Sequence, residues 1–342
     1  MNGPLRRGVR ALSGLGRRAM DSARREADRW QLGAAALALA ACFLKPGVEV
    51  EQSLFEHVVV LDVTQSMNVQ DELLDGQPVA RLVFAKHALR AAIDGMPCGS
   101  KIGLGIFTEY RSYLLFAPIE VCANRAELRA TLAGIDNRMA WSGNSEVAKA
   151  LHSGIVIAKQ LPGTPSLVFV TDGHEAPPLN PRYRPAFDDK PGEVAGLLVG
   201  VGALQPSPIP KSDALGRPLG VWGADDVMQT DPRSQGRGAS VSGERMTEDG
   251  DAPAAVAVGA TPGSEHLSSL REAYLRLLAG ENGFTFHRLR ETEAFAAALQ
   301  APALARPVPT RVDVRIALAA LALVLMLAWW WPGIRPGRQR QP

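Results

Sequence analysis

Short apolar runs alternate with stretches of helical spacing through the middle of the chain. His57 to Asp62 reads HVVVLD, an apolar run closed by an acid, which predicts a buried parallel strand. Val79, Leu82, Val83, Ala85, Leu89, Ala92 and Ile93 recur at helical spacing. Lys101 to Phe107 and Tyr113 to Ile119 read as two strands joined by a short polar turn. Helical patterns cover 126–135 and 146–161, and strands are predicted at Leu167 to Thr171 and Gly196 to Val201. An amphipathic helix over 267–279, a strand over 284–289 and a last helix over 293–299 complete the series. Strands alternating with helices predict an α/β fold: a doubly wound, mostly parallel sheet with one antiparallel edge strand supplied by the hairpin. Residues 203–265 break the rhythm. They are rich in Pro, Gly, Ser and Asp and too long for an ordinary loop, so about 229–263 is expected to be a flexible insertion.

Two apolar runs lie outside this pattern. Leu32 to Leu44 reads LGAAALALAACFL and follows a segment with eight arginines. Ile316 to Trp331 reads IALAALALVLMLAWWW and is followed by Arg335, Arg338 and Arg340. As a helix the second run is about 24 Å long, near the ~30 Å of a hydrocarbon core, and its triple Trp suits a membrane interface. We expect a transmembrane anchor at 30–45 and a transmembrane helix at 312–331, enclosing a domain at 55–300. Basic tails at 1–29 and 332–342 place both termini in the cytoplasm and the domain in the periplasm of a bacterial inner membrane. Two alternatives stand for the first run: a cleaved signal peptide, or a lipoprotein anchored at Cys42 through the lipobox-like Leu39-Ala40-Ala41-Cys42.

The charge agrees with this division. The whole chain carries +2, yet residues 1–45 hold nine basic and three acidic groups, and 306–342 hold six and one. The middle holds 22 basic and 31 acidic groups, which gives no reason to expect nucleic acid. Outside the cytoplasm disulfides persist. A hairpin centred near residue 110 pairs positions whose numbers sum to about 220, and Cys98 and Cys122 satisfy this. A cross-strand disulfide is expected there; the alternative is two reduced, buried thiols.

Open α/β sheets bind ligands at the carboxyl ends of their strands. Asp62, Thr64 and Ser66 follow the first predicted strand, Asp172 follows the fourth, and Ser145 precedes the helix leading into it. Two carboxylates and three hydroxyls offer hard oxygen donors, suited to Mg²⁺ or Mn²⁺, whereas zinc would want His or Cys. Gln65, Met67, Asn68, Trp141, Asn144, His174 and Glu175 are candidate rim residues for contact with a partner.

Asp62-x-Thr64-x-Ser66, Ser145 in SGNSEVAKAL and Asp172 in TDGHE resemble the metal-ion-dependent adhesion site (MIDAS) of the von Willebrand factor A (VWA) domain. Thr64 stands for that family's usual Ser, and Ser145 for its usual Thr. The resemblance implies that Thr64 and Ser66 touch the metal directly and that Asp62 and Asp172 bind largely through water. Ser145 would bind directly or through water, and a partner's carboxylate would fill the open position. Gly200-Val201-Gly202, Pro208-Ile209-Pro210, 275–279 and 281–286 are similar to a narrower bacterial group. Its members have a helix, this domain and a second helix, and work with MoxR-type AAA+ ATPases. PCGSKIGLGIFTEYRS, RMAWSGNSEVAKAL and TDGHEAPPLNPRYRP look most like the methanol-oxidation (Mxa-type) members of that group. These are implicated in maturing a periplasmic quinoprotein dehydrogenase, including metal insertion, so a MoxR-type ATPase and other VWA proteins become expected partners. The expected role is binding, not catalysis. A phosphoryl-transfer enzyme is the alternative, but Thr64 replaces the second Asp of the aspartyl-phosphate motif. A scaffold with a degenerate metal site is the other.

Overall fold

The computed structural model describes residues 29–179, 184–213, 215–227, 242–246 and 264–330. Two compact units are present: Ser53–Pro307, and the described residues on either side of it.

In chain order the elements are a helix over 29–43 (α1), β1 (Gly47–Asp62), β2 (Glu72–Leu74), β3 (Gln77–Val79), α2 (Arg81–Asp94), β4 (Lys101–Thr108), β5 (Arg111–Glu120), α3 (Arg125–Gly134), α4 (Val147–Gln160), β6 (Ser166–Thr171), β7 (Pro185–Ala186), β8 (Gly196–Gly200), β9 (Ser207–Pro208), β10 (Pro210–Ser212), β11 (Pro218–Val221), β12 (Arg245–Met246), β13 (Leu267–Ser268), α5 (Glu272–Asn282), β14 (Thr285–Arg288), α6 (Thr292–Leu299), β15 (Ala305–Asp313) and α7 (Arg315–Trp330).

The main sheet has the order β14-β8-β6-β1-β4-β5, with β15 paired to β1 off this path. β1 runs parallel to β4 and β6, and β6, β8 and β14 continue in parallel. β5 is antiparallel to β4, as the hairpin pattern predicts. The chain goes from β1 through β4 to β5 on one side and returns to β6 on the other. The β1–β6 boundary is therefore the point where strand order reverses, the place where open α/β sheets hold ligands.

Side-chain alternation along the strands makes two cores. Val59, Leu61, Val168, Val170 and Val199 pack with α2, α3 and α6 on one face. Val58, Val60, Leu167, Phe169 and Leu198 pack with α4 and α5 on the other.

Three elements differ from the sequence pattern. β1 begins at Gly47 because it extends to pair with β15, whose Pro307 and Pro309 argue against a strand by composition alone. The helix expected over 267–279 starts only at Glu272, because Leu267 and Ser268 pair with Pro208 and Ser207 instead. Of the expected flexible insertion, only 242–246 are described. They form β12 on β7, with Glu244 buried 3.2 Å from Lys149.

In the other unit, α1 and α7 are antiparallel neighbours. Gln31 Nε2 donates to the Leu325 carbonyl (3.1 Å), and the Cys42 thiol lies 3.6 Å from the Arg315 carbonyl. Ala35, Ala38 and Ala322 are buried between them, while Leu37, Phe43, Ile316, Leu327 and Trp330 are exposed. Among the described residues no helix is long and apolar enough to cross a membrane. Trp331 and both basic tails, from residue 28 back and from 332 on, lie outside the described residues.

Candidate metal centre

β1 delivers Asp62 to the strand-order reversal, and a 3-10 turn over Gln65–Asn68 follows at once. Asp62 Oδ1 accepts from the Thr64 amide (2.8 Å) and hydroxyl (2.6 Å). Its Oδ2 accepts from the Thr171 hydroxyl at 2.6 Å, at the end of β6. The Thr64 and Ser66 hydroxyls lie 3.3 Å apart, and Ser145 Oγ lies 3.4 Å from Thr64 Oγ1. Backbone bonds clamp Ser145 in place: its amide donates to the Ala176 carbonyl (2.7 Å) and its carbonyl accepts from the Ala176 amide (2.8 Å). Asp62, Thr64, Ser66 and Ser145 thus form one buried cluster. A cleft of about 210 Å³ opens on Thr64, Ser66 and Ser145.

Burial, and then the nearby Asp172, push the Asp62 carboxyl up to about 7. Among the described residues its hydrogen-bond partners are hydroxyls and an amide, with no cationic side chain among them. A buried carboxylate beside three clustered hydroxyls is a donor set that fits a hard divalent cation. A cation there would supply the charge the cluster lacks.

Asp172 is held differently. Its Oδ2 accepts from Arg81 Nη1 (2.5 Å) and Ser268 Oγ (2.8 Å), and its Oδ1 accepts from the His174 amide (2.9 Å). Arg81 and Asp172 are both fully buried. Arg81 also reaches Asp71 through Nε (2.9 Å) and Nη2 (2.5 Å). Burial pushes the Asp172 carboxyl up most strongly, but the Arg81 guanidinium, His174 and the bonds from the His174 amide and Ser268 together outweigh it and hold Asp172 below the usual carboxylate range. Gly202, at φ 117°, makes room: a Cβ there would stand 2.5 Å from Arg81 Nε. Asp172 is thus engaged by Arg81, Ser268 and the His174 amide, whereas Asp62 is held by hydroxyls and an amide.

Sequence reasoning missed Arg81, Asp71, Thr171 and Ser268. Thr171 was legible beside Asp172 at the same strand end. Arg81 gave no signal, because a basic residue at a helix start reads as a solvated end.

The rim residues divide. Gln65, Asn144 and His174 line the cleft. Trp141 is exposed beside it, edge-on to Tyr113 at 5.1 Å, and Asn68 is half-buried. Met67 is fully buried in the α2-side core and offers no rim contact, because the 3-10 turn points it inward. Glu175 also turns inward, accepting from Tyr274 Oη (2.6 Å) and the Ala148 amide (3.2 Å). Burial pushes its carboxyl up to about 8. His174 is buried too, and burial lowers it to about 4, so it faces the cleft as a neutral ring.

Cys98 and Cys122 form a disulfide with a Cα–Cα distance of 5.3 Å. The register between β4 and β5 shifts on both sides of Leu104, yet the open end keeps the two cysteines opposite. Cys42 is a free thiol.

Comparison with known proteins places these features in a family context. No curated protein sequence matches the chain. Among solved structures, the chain is similar to an aerotolerance-related membrane protein from Bacteroides fragilis NCTC 9343, carrying multiple mutations to serines. The identity is 16%, covering 72% of this chain and 96% of that one, with a TM-score of 0.43. It is also similar to the conserved hypothetical protein BatB from Bacteroides thetaiotaomicron, at 14% identity over 72% and 95%, with a TM-score of 0.43. Residues 57–174, the stretch that carries all five candidate ligands, match the family model of the von Willebrand factor type A domain.

Proposed function

We propose that the protein holds Mg²⁺ or Mn²⁺ at Asp62, Thr64, Ser66 and Ser145, with Asp172 behind them, and uses it to grip an acidic side chain of a partner protein. The observation that carries this is the buried Asp62 carboxylate, which meets three clustered hydroxyls at the floor of an open cleft. When bound, the cation supplies an electrophilic anchor for the partner's carboxylate. The chain's own part is to orient the hydroxyls through the Thr64 turn and the Ser145–Ala176 clamp. The role is binding rather than catalysis. An aspartate-containing peptide should bind in Mg²⁺ and be released by EDTA; equal binding in both contradicts the proposal.

One observation favours a second reading. Arg81 already neutralises Asp172, which suits a scaffold whose site works without metal. Direct metal titration separates the two.

The paired helices α1 and α7, with small residues inside and large apolar ones outside, support a membrane anchor. We place the domain in the periplasm of a bacterial inner membrane with both termini cytoplasmic; lipidation at Cys42 is the alternative. The resemblance to the MoxR-linked, methanol-oxidation group extends the proposal. The partner set would include other VWA proteins and a MoxR-type AAA+ ATPase. The task would be maturation of a periplasmic enzyme such as a quinoprotein methanol dehydrogenase, by metal insertion.

A further inference from the structure

The segment 203–227 breaks the α/β rhythm in the sequence, but it is built into the wall of the metal cleft. β9 pairs with β13, and β10 pairs with β11. The Ile209 amide donates to the His266 carbonyl (3.0 Å), and the Trp222 amide donates to the Ile209 carbonyl (3.0 Å). β10 packs against the 3-10 turn that carries Ser66. The Lys211 ammonium sits 4.5 Å from the centre of the Trp222 ring and 3.2 Å from Asp226. The segment is therefore held against the site by its bonds to 266–268 and by β10 on the 3-10 turn, and the Lys211–Trp222 cation–π contact braces it internally.

Its chemistry differs from the floor's. Ile209, Val227 and the Trp222 ring, with Pro177, line the same cleft as Thr64, Ser66 and Ser145, with Asp226 and Glu265 also in its lining. At about 210 Å³ the space is below the usual range for cofactor-sized ligands, and it suits one or two side chains. One end suits a carboxylate, and the other removes an apolar group from water.

We propose that this wall selects partner segments in which the gripped acidic residue is flanked by apolar side chains. The proposal rests on the metal-and-carboxylate reading above and adds the neighbour's chemistry to it. Metal and carboxylate supply the anchor, and the Ile209–Trp222 wall supplies the discrimination. Placing hydroxyls against Ile209, Val227 and Pro177 strips their water without replacing it.

The test uses the full chain in nanodiscs and two peptides of equal shape, one with a Val-Val-Asp-Val-Val core and one with Thr-Thr-Asp-Thr-Thr. The readout is the Mg²⁺-dependent part of binding, with EDTA as the reference. The valine peptide should bind about tenfold tighter. Trp222→Gln and, separately, Ile209→Thr should bring the ratio to about one while the threonine peptide keeps its Mg²⁺-dependent binding. Equal affinities in the wild type, both needing Mg²⁺, overturn the wall's role and leave the metal reading standing. Binding of neither peptide, or binding unchanged by EDTA, overturns the metal reading and this inference with it. Mg²⁺-dependent self-association without peptide would assign the cleft to a second copy of the chain and overturn the proposal.

Discussion

Arg81 and Asp62 show how two buried charges in one site meet different fates. Arg81 is satisfied twice over, by Asp71 and Asp172, and also lies 2.7 Å from Ser268 Oγ. Asp62 has hydroxyls and an amide for partners and a pKa pushed up to about 7. Arg81→Met would leave Asp172 buried and uncompensated, a loss of about 3–5 kcal/mol. The thermal midpoint should fall. Saturating Mg²⁺ should then recover more of it than in the wild type, because Asp172 becomes free to face a cation. An unchanged midpoint would mean that Arg81 does not hold Asp172. The clustering of Asp62, Thr64, Ser66 and Ser145 was legible because acids and hydroxyls after a strand or before a helix carry a spacing signal. Arg81 was not, because nothing local marks which helix-start arginine will be buried. Met67 and Glu175 were misplaced as rim residues for a related reason: adjacency in sequence does not say which way a tight turn points a side chain.

At the scale of elements, the hairpin β4–β5 was legible down to its disulfide. The expected index sum of about 220 survived because the two one-residue shifts on either side of Leu104 move the pairing only from 219 near the turn to 221 at the open end. The bridge spans 24 positions, and closing a loop of that length is worth about 3 kcal/mol. Cys98→Ser with Cys122→Ser should lower stability by that order and leave Mg²⁺ binding intact, since the bridge lies at the opposite end of β4 from the site. A double variant as stable as the wild type under oxidising conditions would contradict this. The wall built by β9, β10 and β11 was not legible. Strands of two to four residues carry too few positions for a period-2 pattern, and they form because β9 finds β13 and β10 finds β11. The late start of α5 has the same cause. Leu267 fits the helical spacing, but its backbone finds a strand partner in Pro208.

For the whole molecule, the +2 charge conceals an acidic middle between two basic ends. The domain's mostly parallel sheet with an antiparallel strand follows from the alternation of strands and helices and from the hairpin. The proposed anchor is argued from the α1–α7 pair, where Ala35, Ala38 and Ala322 are inside and Phe43, Ile316 and Trp330 outside. That inversion of the usual soluble pattern leads to a topological prediction. In spheroplasts, the Ser53–Pro307 unit should be digested by external protease, and the protein should resist alkaline carbonate extraction. Release by carbonate would remove the membrane anchor from the account. The central claim is the cation at Asp62, and it is tested most directly by calorimetric titration of the full chain with Mg²⁺ or Mn²⁺. The account predicts one binding site per chain, lost in Asp62→Ala and strongly weakened in Ser66→Ala. It also predicts that the site is retained in Trp222→Gln. No saturable heat in the wild type, or binding that Asp62→Ala leaves untouched, would contradict it.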